Sequence, residues 1–193
     1  MNKYKIFSVS IILFVIFCFS CKTIPSEMQT ISRNIADDGI KSVEQLVDFF
    51  IFKNPNSDKK RIERLATLYV KEASFEGINS DIAFIQMCLE TGFLKFGGLV
   101  TADMHNYCGL GAIDKNNPGE IFPNEQMGVR AHVQHLHAYG STAALKNELV
   151  DRRYKYVQPR GKAPSIFELA GTWAADKLYG EKLETLLCQL EKF

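Results

Sequence analysis

The chain has 193 residues, a formal net charge of +1, 23% charged residues and 46% hydrophobic residues. That length suits one domain of about 150 residues with a further segment attached. Lys and Arg are scattered without a basic block, so nothing points to nucleic acid, and the composition is that of a folded globular protein, not a solvating tail.

The further segment lies at the front. Residues 1–5, MNKYK, make a short basic start, and IFSVSIILFVIFCFS follows as an apolar run. The run is shorter than the roughly 20 residues of a membrane span and fits a secretory signal. It ends on Cys21, where the preceding FCFS resembles a bacterial lipobox of the loose kind that tolerates a bulky residue upstream. That resemblance implies cleavage before Cys21, lipidation there, export, and a tether to a membrane instead of a spanning helix. An ordinary signal peptide or an uncleaved anchor is the alternative. Residues 21–38 then read as the lipidated cysteine and a polar tether, with the folded domain over 39–193. Cys88, Cys108 and Cys188 remain in that domain, an odd number that permits one disulfide at most.

From Ile40 the pattern is helical, with Ile40, Val43, Leu46, Val47 and Phe50 at three- and four-residue steps until Pro55. Ser57 or Asp58 can cap a second helix that Gly77 ends, and Ser80 can cap a third that runs to Glu90. Between Gly92 and Asn124 the periodicity is lost among glycines and prolines, leaving a loop-rich lobe with room for one short hairpin. Helical spacing returns over 125–140 and 142–150. A loop follows, then Ser165 and Glu168 form a capping box for a helix over 166–174, and a last helix starts at Tyr179. The class is mostly α, with the lobe inserted after the third helix.

Chemistry centres on the end of that third helix, in Gln86-Met87-Cys88-Leu89-Glu90-Thr91-Gly92. At 100° per residue Gln86 and Glu90 share a face beside the apolar one. Low dielectric and the negative end of the helix both disfavour ionised Glu90, which suits a general acid. A surface glutamate or an internal ion pair is the plainer alternative. Downstream, Asn106-Tyr107-Cys108-Gly109-Leu110-Gly111-Ala112 places glycines at alternate positions, as suits backbone laid against a ligand. Trp173, the only tryptophan, offers an indole face to a sugar ring, or a core residue.

These stretches, LETGF, NYCGLGA and WAADKLYGEK, resemble in order the motifs of the bacterial glucosaminidase domain, glycoside hydrolase family 73. The match covers roughly Ile62 to the C-terminus. It implies a lysozyme-like α+β fold, cleavage of the β-1,4 bond after N-acetylglucosamine in peptidoglycan glycan strands, and Glu90 as the acid. It also implies substrate contacts from Gln86, Asn106, Tyr107 and Gly109. Family members usually carry Tyr where this chain has Trp173, so Trp173 is assigned stacking and no proton chemistry. Asp176 is expected to cap the last helix and Tyr179 to pack. A second carboxylate, where one is used, is expected at Glu120; otherwise the sugar's own acetamido group serves. Arg160 is the candidate for acidic groups of the wall, a solvated loop being the alternative.

His132 and His135 share a helical face without a clear carboxylate, which is poor for zinc, so neither metal nor other cofactor is expected. The chain is expected to act as a monomer. Two rival functions use the same residues: a peptidase with Cys108 as nucleophile and His132 or His135 as base, and a lipoprotein that binds peptidoglycan without cutting it.

Overall fold

A computed structural model of the protein describes residues 30–193. Cys21, the signal segment and most of the expected tether lie outside the described residues. Five helices carry the fold: α1 (Val43–Lys53), α2 (Lys59–Glu76), α3 (Ser80–Thr91), α4 (Glu125–Gly140) and α5 (Tyr179–Leu190). The fold is mostly helical, in keeping with a lysozyme-like helical domain.

Local chemistry sets the boundaries. Helix α1 begins at Val43, not Ile40, because Ser42 and Gln45 close a reciprocal capping box. Asp58 caps α2, and Gly77 ends it in the left-handed conformation at φ +73°. For α3 the cap is Asn79, one residue ahead of the expected Ser80, and its Oδ1 accepts from the backbone of Asp81 and Ile82. Helix α3 is the centre of the molecule, with every residue from Ser80 to Cys88 buried among α2, α4 and α5.

Two expected helices are absent. Over 142–150 three backbone N–H groups are taken by side chains of neighbouring helices. Glu76 of α2 accepts from Lys146 and Asn147, at 2.8 and 2.9 Å, and Gln134 of α4 accepts from Val150 at 2.8 Å. These bonds replace the helical ladder and peg the segment to α2 and α4. Over 166–174 half of the Ser165–Glu168 box forms, the Glu168 carboxylate accepting from the Ser165 backbone at 3.0 Å while Ser165 Oγ accepts from Phe167, and with Gly171 left-handed at φ +75° the chain folds into turns.

The hairpin of the 92–124 lobe reduces to a tight turn at Asp114–Asn117 and a 3-10 turn at Ala102–Met104. Among the described residues there is no strand, only isolated bridges.

The segment 30–38 is part of the domain instead of tether. Ile31 and Ile35, four residues apart, are buried in the main core. Between them Arg33 pairs with Glu184 at 2.5 Å and Glu191 at 2.7 Å on and just past α5. Ile35 joins two chain segments, donating to Pro164 and accepting from Asn79.

Candidate active site

Glu90 is held at the last full turn of α3. Gly92 closes the helix at φ +57°, and Phe93, Leu94 and Phe96 follow with φ between +49° and +60°. Non-glycine residues rarely adopt that conformation, and such clusters gather where a site needs them. Here they are pinned: Phe93 packs on Phe49 and Phe50, Asn54 donates to the Phe93 carbonyl, and Thr91 Oγ1 accepts from Leu94. The chain therefore curls away from Glu90 and leaves its carboxyl on a groove.

One carboxyl oxygen, Oε1, takes two hydrogen bonds. Trp173 donates its indole N–H at 2.9 Å, and Tyr179, at the start of α5, donates its hydroxyl. Among the described residues no donor reaches Oε2, and no Lys, Arg or His pairs with Glu90. Glu90 as a residue is exposed, yet the protein groups gathered around its carboxyl take much of the water from it. Desolvation pushes its pKa up, and the donors Tyr179 and Trp173 partly oppose that. Burial and the Glu90 charge hold the Tyr179 hydroxyl well above its ordinary value, so it stays a donor.

The groove opens into a pocket of about 180 Å³ lined by Glu90, Thr91, Gly97, Gly98, Leu99, Asn106 and Gly109, among others. Among the described residues Glu90 is the only acidic one on its wall. A second, polar pocket of about 110 Å³ shares Gly109 and continues past Trp173 to Arg153 and the His135–Asp151 pair, which are 2.7 Å apart.

Residues 66–192 match the glucosaminidase family, described as mannosyl-glycoprotein endo-beta-N-acetylglucosaminidase. That match spans well over half of the chain and includes Glu90, Trp173 and Tyr179. The chain belongs to the glucosaminidase family. The glucosaminidase is also 43% identical over 155 residues to an uncharacterized protein of Borreliella burgdorferi (strain ATCC 35210 / DSM 4680 / CIP 102532 / B31), covering 80% of this chain and 76% of that one. No solved structure matches it. Membership places the chain among glycoside hydrolases.

The other residues singled out in the sequence are spread between the pocket walls and the core. Gly109 lies on the wall of both pockets. Asn106 borders the pocket, but its side chain is buried and staples the lobe, bonding the backbone of Leu110 twice and the carbonyl of Glu120. Tyr107 is fully buried, so no sugar reaches it, and burial pushes its hydroxyl up to about 12. Gln86 is also buried and bonds Tyr179 and His132, not a ligand. Glu120 sits across Gly111 outside the Glu90 pocket and faces Arg152 at 3.6 Å. Arg160 staples loops, donating to the carbonyls of Ala143 and Thr142 and to Tyr154.

Trp173 is wedged among His132, His135 and Tyr139, with ring centroids 5.2 to 5.9 Å away, so its indole edge and not a free face serves the site. Asp176 is not the cap of α5, whose N-cap position is Leu178 without a side-chain cap; it accepts from the Leu178 backbone in the turn before the helix. Tyr179 does more than pack. The signal that could have found it is the sequence WAADKLY, which places a second aromatic donor, a hydroxyl, six residues beyond Trp173.

Cys108 is buried, its thiol is pushed well up, and neither His132 nor His135 bonds it, so the pair needed by a cysteine nucleophile is missing. Cys88, Cys108 and Cys188 are all free thiols.

Proposed function

We propose that the protein is a peptidoglycan hydrolase that cuts the β-1,4 bond after N-acetylglucosamine, with Glu90 as general acid. The observation that carries this reading is the two donors converging on Oε1 of a desolvated carboxyl. With Oε1 restricted to accepting, the proton of neutral Glu90 resides on Oε2, the oxygen free to face the groove. A glycosidic oxygen there receives that proton as its bond to the anomeric carbon breaks.

The pocket wall offers no second carboxylate, which favours assistance by the substrate. The acetamido oxygen of the N-acetylglucosamine unit bonds to its own anomeric carbon as the leaving oxygen departs with the proton. Water then attacks that carbon, gives its proton to the Glu90 carboxylate, and breaks the acetamido bond. Two displacements leave the new reducing end in its original β configuration.

The test is a zymogram on purified cell wall together with mass and NMR analysis of released fragments. Wild type should clear the gel and Glu90→Gln should be slower by at least about 100-fold, the low end for a general acid. Fragments should end in reducing N-acetylglucosamine, first seen as the β anomer. Reducing N-acetylmuramic acid would reassign the bond, a first-formed α anomer would require water to attack directly, and no clearing by wild type would leave a wall-binding protein.

The same reading places the enzyme outside the cytoplasm, held by lipid on Cys21. Incorporation of labelled fatty acid should disappear in Cys21→Ala, and equal labelling would remove the anchor.

A further inference from the structure

Behind Glu90 a row of buried hydrogen bonds crosses the core. Tyr69 Oη of α2 lies 2.8 Å from His132 Nδ1 of α4, and His132 Nε2 lies 3.0 Å from Gln86 Oε1 of α3. Gln86 Nε2 donates at 3.0 Å to Tyr179 Oη, and Tyr179 donates to Glu90. Tyr69, His132 and Gln86 have no solvent exposure, and Tyr179 has 5%.

Such a row has two possible directions. In one, each member donates toward Glu90: Tyr69 O–H to Nδ1, Nε2–H to Gln86 Oε1, Gln86 N–H to Tyr179, and Tyr179 O–H to Glu90. In the other, every bond is reversed, Tyr179 donates to Gln86, and the imidazole carries its proton on Nδ1. Tyr69 makes only the His132 bond. The reversed row therefore strands the Tyr69 proton in the core without an acceptor, and a buried donor left unpaired is costly.

We propose that Tyr69 and His132 are positioning residues for Glu90: the single partner of Tyr69 fixes the direction of the whole row, so that Tyr179 always aims its proton at Oε1. The proposal rests on Glu90 being the acid and adds the device that keeps its proton on the groove side. Neither residue touches the groove, and neither role is visible from the residues that do.

The imidazole is suited to passing direction without passing charge. Burial, with the nearby His135 adding to it, pushes the His132 pKa down to about 3. Tyr69 faces His132 from α2, Gln86 faces it from α3, and Trp173 faces it from the loop before α5. Glu90 is faced by Tyr179, Trp173 and the Cys108 thiol. The His135–Asp151 pair and Arg153 lie on the far side of Trp173, around the second pocket.

The test begins with the unaltered full-length protein, labelled with ¹⁵N in its histidine rings. His132 should appear as the neutral Nε2–H tautomer, with its Nδ1 signal unchanged between about pH 5 and 8. An Nδ1–H tautomer, or an imidazolium in that range, would overturn the proposal.

Tyr69→Phe, which keeps the ring and removes the hydroxyl, then brings the two directions closer in energy. The His132 tautomers should mix, and the alkaline limb of wall lysis should move up by about half to one pH unit as Glu90 loses part of a donor. A purely structural role for Tyr69 would lower the melting temperature and leave both tautomer and limb as in wild type, which would also overturn the proposal. Wall clearing by Glu90→Gln at the wild-type rate would sink the acid assignment separately, whatever the His132 tautomer.

Discussion

Glu90 keeps two unlike oxygens, and the difference makes its behaviour testable with changes of a few atoms. Tyr179→Phe removes the hydroxyl donor to Oε1 and Trp173→Phe removes the indole donor. Hydrogen bonds to a carboxylate favour its charged form, so losing either raises the Glu90 pKa further. Each variant should shift the alkaline limb of activity upward, with a rate loss of about tenfold or more from poorer positioning. A limb that stays put or moves down would argue that the donors do not face the acid. Stability gives a second check. Because the folded pKa is raised above the ordinary glutamate value, ionisation favours the unfolded chain as pH climbs past that value. Glu90→Gln should thus melt with wild type near pH 4 and above it at pH 8. Much of this was legible locally: a carboxylate ending an apolar helix, then Thr-Gly, announces a strained and useful position. Tyr179 and His132 were not legible, since the hydroxyl meets Glu90 across 89 residues of chain and Gln86 meets His132 across 46.

Helices that carry the site are locked by close approaches that sequence periodicity does not show. A Cβ on Gly128 of α4 would stand 1.8 Å from the carbonyl oxygen of His105, so this glycine lets α4 lie directly against the lobe. Gly128→Ala should cost about 1–3 kcal/mol through overpacking and should raise KM more than it lowers kcat, because the lobe forms the pocket wall. Chemical denaturation and steady-state lysis would measure the two effects. Helices α2 and α4 are also joined by Glu72 and Arg130, 2.8 Å apart, with the Glu72 side chain only 2% exposed. Arg130→Met leaves that carboxylate without its cation and should destabilise by about 3 kcal/mol. Periodicity and caps located all five helices within a few residues. They failed over 142–150 because Glu76 and Gln134 capture the backbone donors, and over 166–174 because one capped turn cannot propagate past Gly171. Both failures are tertiary: the local signals were present and the neighbours overrode them.

Taken as a whole, the molecule begins its folded part earlier than its polar front suggests. Ile31 and Ile35 occupy the main core, and Arg33 ties the segment to Glu184 and Glu191 around the end of α5, the helix that presents Tyr179. If anchoring is at Cys21, residues 22–29 span at most about 30 Å, so Thr30 stays within about that distance of the lipid. The segment's share of stability is open to direct measurement. Burying an isoleucine contributes about 1.5–3 kcal/mol, so two of them amount to a large fraction of a typical 5–15 kcal/mol. A chain starting at Thr30 should melt like the full-length protein. One starting at Gly39 should melt about 10 °C lower or more, and should lose wall-clearing activity as α5 loosens and Tyr179 drifts from Glu90. Equal melting temperatures would mean that the segment rests on the surface and that the domain proper starts near residue 39.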